Sequence, residues 1–284
     1  MLKRGEIWRV SLGRDARGTE LGAKIAQDTH RPLAHRPAIV ISADDFNREA
    51  QRVTVAPLMN YWEERELQVH WGVRLELSGV DVDPTNRNHK TLSKTSLIDC
   101  GQIWTVFAVP PTAQPAGKLT LPNDVEWMKR AGQIRDILAV NLELQTVLGS
   151  GLRAERAELR FGRGDVVRMD VPGRPQQSCL VVSAVPVDLM RERTMVTLSS
   201  QRRSLGQITV VPLVGPPSTE HPGYHGIAEV KVVFDNPVPS EDQLALCQEI
   251  YTLDWRERNA VKTGIVKEMD VVEHALREYL DLPA

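Results

Sequence analysis

At 284 residues, with 42% hydrophobic and 25% charged side chains, the chain has room for two ordinary domains and is not a disordered or low-complexity protein. Its formal net charge is −2, with 19 basic and 18 acidic residues up to Ser150 and 16 and 19 beyond it, which excludes a uniformly basic nucleic-acid binder. No apolar run approaches the ~18 residues of a membrane span, and Met1-Leu2-Lys3-Arg4-Gly5 leads into a strand pattern without a signal-peptide core, so the cytoplasm is the expected compartment.

The first strand pattern runs from Arg4 to Val10, and a long polar loop, Gly13 to His35, follows it. His35-Arg36-Pro37 then opens the apolar run Ala38-Ile39-Val40-Ile41. This puts an imidazole and a cation at the mouth of a buried strand, with Pro37 holding the backbone extended. Val55-Ala56-Pro57-Leu58 reads as the next strand, and Trp62-Glu63-Glu64-Arg65-Glu66 as a surface turn. The stretch Thr85 to Lys94 gathers Arg87, His89, Lys90 and Lys94, a set suited to phosphates and equally to a solvated hairpin. After the strand Cys100 to Val106, Asn123 and Glu126 form a capping-box-like start. Trp127, Ala131, Ile134, Leu138, Asn141, Leu144 and Leu148 follow at helical spacing, and Gly149-Ser150-Gly151 stops the helix.

Beyond a charge-rich connector, the pattern returns. Arg4-Gly5-Glu6-Ile7-Trp8-Arg9-Val10 reappears as Arg163-Gly164-Asp165-Val166-Val167-Arg168-Met169, and Ala38 to Ala43 as Cys179 to Ala184. Val55-Ala56-Pro57-Leu58 becomes Val210-Val211-Pro212-Leu213, and Cys100 to Val106 becomes Cys247 to Leu253. Four matches in one order indicate an internal duplication. In the second copy Asp254 and Glu257 are expected to start a closing helix through Val261, Ile265, Met269, Val272, Leu276 and Leu280. Short Val- and Ile-rich segments punctuated by Gly and Pro predict a mainly β, α+β chain of two small curved sheets or barrels, each closed by a C-terminal helix. The expected division is a barrel over 1–150, a linker over 151–162 and a degenerate barrel over 163–284.

The copies differ in their loops. Where the first has Gly13 to His35, the second has only Pro172 to Ser178, and Gly215 to Gly226 replaces the basic stretch with a Pro-rich loop. His221 and His225 in that loop read as loop residues, not metal ligands. Cys100, Cys179 and Cys247 show no CxxC spacing and read as buried thiols, so no metal and no cofactor are expected. Trp8, Trp71 and Trp104 offer faces on which bases stack, but core packing is the favoured reading for Trp8 and Trp104.

Arg-Gly-Glu-Ile-Trp, a polar loop, His-Arg-Pro before a Val/Ile strand ending in Ser42, Phe46-Asn47-Arg48, Val-Ala-Pro-Leu and Cys-Gly-Gln-Ile-Trp-Thr-Val together resemble the MazF/PemK toxin family. The resemblance runs from Lys3 to Leu148 and is diffuse in the second copy. It implies SH3-like barrels fused as a pseudo-dimer and metal-independent cleavage of single-stranded RNA, in which the 2′-hydroxyl attacks the adjacent phosphorus to leave a cyclic phosphate. Such chemistry needs a base, an acid at the leaving oxygen and a cation against the phosphoryl charge. Arg36 falls on the family's catalytic arginine and His35 on a histidine some members carry. Met59 stands where the family has a threonine, with Asn60 next to it as a partial substitute, and Gly101 where some members have an acid, with Asp99 nearby. Gln102 completes the RNA-contacting set, alongside Glu20, His30 and Arg31 of the long loop. A surface role stays open for those three. In the second copy the arginine position is Gln177 and the threonine position Val214.

The resemblance thus implies the toxin of a type II toxin–antitoxin pair, with an antitoxin acting in trans through a flexible acidic segment. The alternative is a catalytically inactive module that binds nucleic acid or a protein partner, including gyrase-inhibitor-like action.

Overall fold

The structure, a computed structural model, describes residues 3–10, 36–50, 52–60, 72–75, 95–107, 113–117, 124–142, 144, 160–172, 174–183, 207–215, 229–234, 243–255 and 258–282. The chain divides into two compact units, Met1–Leu138 and Ala139–Ala284, both mainly β.

In the first unit β1 (Ile7–Val10), β2 (Arg36–Val40), α1 (Asp44–Ala50), β3 (Arg52–Asn60), β4 (Gly72–Leu75), β5 (Ser96–Asp99), β6 (Trp104–Phe107) and β7 (Ala113–Gly117) follow one another. Their antiparallel path is β6–β3–β2–β1–β7, with β5 also on β3 and β4 on β5. Gly5 leads into β1 at φ 80°, a conformation that favours glycine, and donates its N–H to Val40 O at 2.9 Å. Ala38, Ile39, Val40 and Ile41 are buried, as are Val53, Val55 and Ala56 opposite them. A strand with both faces covered reads as such an unbroken apolar run. α2 (Asp124–Asn141) begins in this unit and ends in the second.

In the second unit β8 (Asp165–Val171), β9 (Arg174–Ser183), β10 (Gln207–Val214), β11 (Glu229–Val232), β12 (Gln243–Leu246), β13 (Tyr251–Asp254), β14 (Val261–Ile265) and α3 (Asp270–Leu280) follow. The path is β14–β8–β9–β10–β13, with β12 also on β10 and β11 on β12. Strand for strand this is the pairing order of the first unit. Among the described residues neither path closes into a ring.

The likeness extends to single bonds. Gly164 leads into β8 at φ 87° and donates to Val181 O at 2.9 Å, as Gly5 does to Val40. A buried Thr54–Thr105 hydroxyl pair at 3.0 Å ties β3 to β6, and Thr209–Thr252 at 3.2 Å ties β10 to β13. Lys3 N–H meets Glu6 Oε2 and Gly162 N–H meets Asp165 Oδ2, each at 2.9 Å, closing the turn before the first strand.

Three expectations need correction. The second closing helix does not start near Asp254. Val261–Ile265 is a strand paired with β8, and Val261 and Ile265 are 58% and 37% exposed, not part of a buried helical face. Only Asp270–Leu280 is helical, burying Val272, Ala275, Leu276, Tyr279 and Leu280. Residues 174–178, expected in a loop, already belong to β9. The first closing helix ends at Asn141, short of Gly149, although Leu144 is buried.

α2 has no basic residue in its last turn to meet its orphan carbonyls. Arginines from elsewhere do so. Arg163 donates to Leu142 O at 2.5 Å and to Val182 O at 2.8 Å while pairing with Glu273 at 2.6 Å, and Arg277 donates to Leu144 O. Among the described residues no helix is long and apolar enough to cross a membrane.

Candidate active site

β2 begins at Arg36, opposite Val10 of β1, and two residues on Ala38 lies opposite Pro57 of β3. The β2–β3 pairing ends at Ala38–Pro57, two residues after Arg36 and two before Met59, and Asn60 ends the same strand. On the other side of β3, Met59 pairs with Leu97 and Asn60 with Ser96. The end of β3 and the start of β5 therefore meet, with the start of β2 toward the same end of β3.

At the opposite end of β2, beyond Val40, a buried polar knot ties β2, α1 and β3 together. Ser42 Oγ donates to Asn47 Oδ1 at 2.5 Å and accepts the Thr54 N–H at 3.0 Å, and Asn47 Nδ2 returns to Ser42 O at 3.2 Å. Ser42, Asn47 and Thr54 are all buried, so every bond replaces a lost water contact. Asn47, quoted in the sequence only as part of a motif, thus fixes α1 to the end of β2.

Gln102 lies at the corner between β5 and β6, where β3 passes from pairing with β6 to pairing with β5. At ~3.4 Å per residue this corner is about 10 Å along β3 from Met59. Gln102 is half-buried, and its N–H reaches Asp99 O at 3.3 Å. Asp99, considered as a stand-in for the family's acid, is buried, and its Oδ1 accepts the Gly101 N–H at 3.0 Å. That carboxylate shapes the corner. Trp104 is buried, as expected. Trp8 is only half-buried, with its indole N–H on Glu6 Oε2 at 3.1 Å. His35, Glu20, His30, Arg31, Trp71, Arg87, His89, Lys90 and Lys94 lie outside the described residues, as do His221 and His225.

The second unit holds a different arrangement at the matched positions. Gln177 faces Met169 as Arg36 faces Val10. Its Nε2 donates to Leu213 O and to Ser178 O, the latter at 3.2 Å. At the corner matched to Gln102 stands Glu249, whose side chain is 4% exposed. Its Oε1 is 3.1 Å from Arg174 Nη2, and its Oε2 is 3.5 Å from the Tyr251 hydroxyl. Sequence reading missed this pair because its members are 75 positions apart; the replacement of Gln102 by Glu249 in the repeated block was the only signal.

None of the three thiols suits a nucleophile. Cys100, Cys179 and Cys247 are buried, and burial pushes each thiol up, Cys247 to about 12. The Asp99 charge adds to the rise at Cys100, while Arg174 partly opposes it at Cys179.

Residues 3–120 match the family described as PemK-like, MazF-like toxin of type II toxin-antitoxin system. Among solved structures, MazE–MazF from Deinococcus radiodurans is 20% identical, with TM-score 0.26 over 41% of this chain and 88% of that one. An endoribonuclease in complex with its cognate antitoxin from Mycobacterial species is 21% identical, with TM-score 0.29 over 44% and 98%. No curated protein matches the chain. The matched segment, residues 3–120, includes the strand that carries Arg36.

Proposed function

We propose that the first unit is a metal-independent endoribonuclease acting on single-stranded RNA in the cytoplasm, the toxin of a type II toxin–antitoxin pair. The observation that carries this reading is Arg36 in β2, paired with Val10 of β1, inside the segment that matches the toxin family. In the proposed reaction the RNA 2′-oxygen bonds to the adjacent phosphorus and the bond to the 5′-oxygen breaks. The 2′-hydroxyl proton passes to a base and the leaving oxygen takes a proton from an acid, work for which His35 is the candidate. Arg36 grips the phosphoryl oxygens with its planar fork as charge builds on them, and Asn60 donates from the neighbouring strand end. Gln102, with Glu20, His30, Arg31, Arg87, His89, Lys90 and Lys94, contributes contacts to the RNA.

The same proposal takes the chain as a tandem duplication of SH3-like barrels, 1–150 and 163–284 joined by 151–162, in which a degenerate second copy makes the chain a fused pseudo-dimer. The shared pairing order and the matched Gly, Thr–Thr and turn bonds support it. An antitoxin with an acidic flexible segment acts in trans.

Met59 favours a second reading, a module that grips nucleic acid or a protein without cutting. The deciding experiment incubates the purified chain with mixed-sequence RNA in EDTA, beside Arg36→Ala. Arginine-dependent cuts ending in cyclic phosphate support the nuclease. Binding without cutting supports the module, and neither binding nor cutting points to a protein partner.

A further inference from the structure

We infer that the second unit contains a phosphate-binding position held shut by the chain's own carboxylate. Glu249 occupies from within the place where a phosphodiester would meet Arg174. The pair is unusual in its surroundings: Glu249 is nearly fully buried, its two oxygens face a guanidinium and a phenol, and Arg174 itself is 23% exposed. A guanidinium fork fits a carboxylate and a phosphate by the same geometry, so what the fork holds here, a phosphate oxyanion can replace.

Position in the fold argues for the same conclusion. Arg174 lies in β9, the strand matched by register to β2, three residues before Gln177, the position matched to Arg36. In the first unit the matched corner residues are Gln102 and Trp104, both uncharged. In the second they are Glu249 and Tyr251; Glu249 receives the cation, and the Tyr251 hydroxyl meets Glu249. Gln177, at the position of Arg36, is turned to the Leu213 and Ser178 carbonyls and offers no second cation. One unit has a neutral amide at the matched corner position, and the other has a carboxylate.

The test uses the full chain carrying Arg36→Ala, so that the first unit's site is silent, and a short all-deoxy oligonucleotide, which lacks the 2′-hydroxyl and is not cleaved. Adding Glu249→Gln restores the first unit's corner residue and removes the counter-charge. Oligonucleotide affinity at low salt should rise at least tenfold, with a steeper salt dependence. Adding Arg174→Leu should abolish the gain. A parallel titration with inorganic phosphate separates a free-phosphate site from one that needs a polynucleotide: a gain with both probes identifies the former, a gain with the oligonucleotide alone the latter. The Arg174 guanidinium resonance, followed in the Arg36→Ala chain with Glu249 intact, should move with either anion, but only at high concentration. That measurement serves if the glutamine variant does not fold. A folded Glu249→Gln chain with unchanged affinity, or an Arg174 resonance indifferent to both anions, overturns the inference. Because no step requires cleavage, failure of the nuclease reading appears separately, as intact RNA with the unmodified chain.

Discussion

The position of Arg36 in β2 and that of Gln177 in β9 are one position in two settings. In the first unit Arg36 stands there, opposite Val10; in the second Gln177 stands there, bonded to backbone carbonyls, with Arg174 and Glu249 paired nearby. Around both positions the structure hardly differs. The same glycine turn leads in, the same Val- and Ile-rich strands are buried, and the same threonine pair ties the sheet. The comparison teaches that interior packing and strand-end chemistry vary independently in this fold. A strand keeps its register through buried alternation and turn bonds, whereas a residue toward its start is constrained only by what it must touch.

The largest effect that tests this comparison is on activity. Arg36→Ala should lower RNA cleavage by about 10²- to 10³-fold, the size expected for removing one charge-stabilising group from a transition state. Gln177→Ala should leave the rate unchanged. Cleavage rates measured by primer extension, with urea melts to confirm folding, check both; equal losses would mean that the two positions share one role.

Next in size is the arginine that gathers the end of α2. Arg163 is 15% exposed and serves Leu142 O, Val182 O and Glu273 at once. Replacing it by alanine leaves two carbonyls short of a donor and a carboxylate without its partner. Glu273 is 32% exposed, so water recovers part of the ion pair, and the expected loss is about 2–3 kcal/mol in urea unfolding. A loss below about 0.5 kcal/mol would show that the helix end needs no anchor.

Smaller still, and aimed directly at the likeness of the units, are the threonine pairs. Thr54→Val and Thr209→Val should each cost about 1 kcal/mol, and each should couple with its partner, Thr105→Val or Thr252→Val, in a double-mutant cycle. Matching coupling energies sharpen the comparison. Coupling in one unit alone would break it.

Much of this was legible in the sequence, because the signals were local. Gly-Glu-Ile-Trp and Gly-Asp-Val-Val announced a strand and its repeat, and the Val/Ile runs became buried strands with their prolines in matched register, Ala38 opposite Pro57 and Cys179 opposite Pro212. The misreading of Val261–Ile265 came from period alone. Val261, Ile265, Met269, Val272 and Leu276 recur at helical spacing, yet Val261, Thr263 and Ile265 are β-branched, Gly264 interrupts them, and β8 takes them as its neighbour. The Arg174–Glu249 pair depends on tertiary contact, which no local pattern encodes. Asn47 was visible only as a letter in a motif until its bonds to Ser42 gave it a reason.

The smallest expected effect is no effect at all, and it concerns the cysteines of both units. Since burial raises all three thiols, the native chain at pH 8 should resist iodoacetamide, and denaturant should make Cys100, Cys179 and Cys247 react together. The sign carries over to stability. A thiol raised in the folded state stays protonated while its unfolded counterpart ionises, so the unfolded chain binds fewer protons above the ordinary thiol value of 9.0. Stability should therefore be indifferent to the thiols below about pH 8. Above about pH 9 it should fall by about 1.4 kcal/mol per pH unit per thiol, levelling for Cys247 near pH 12. Replacing Cys247 with alanine should flatten that alkaline slope by one thiol's share while leaving RNA cleavage unchanged. Rapid labelling of any one cysteine in the native chain would mean that its unit opens where the other stays closed.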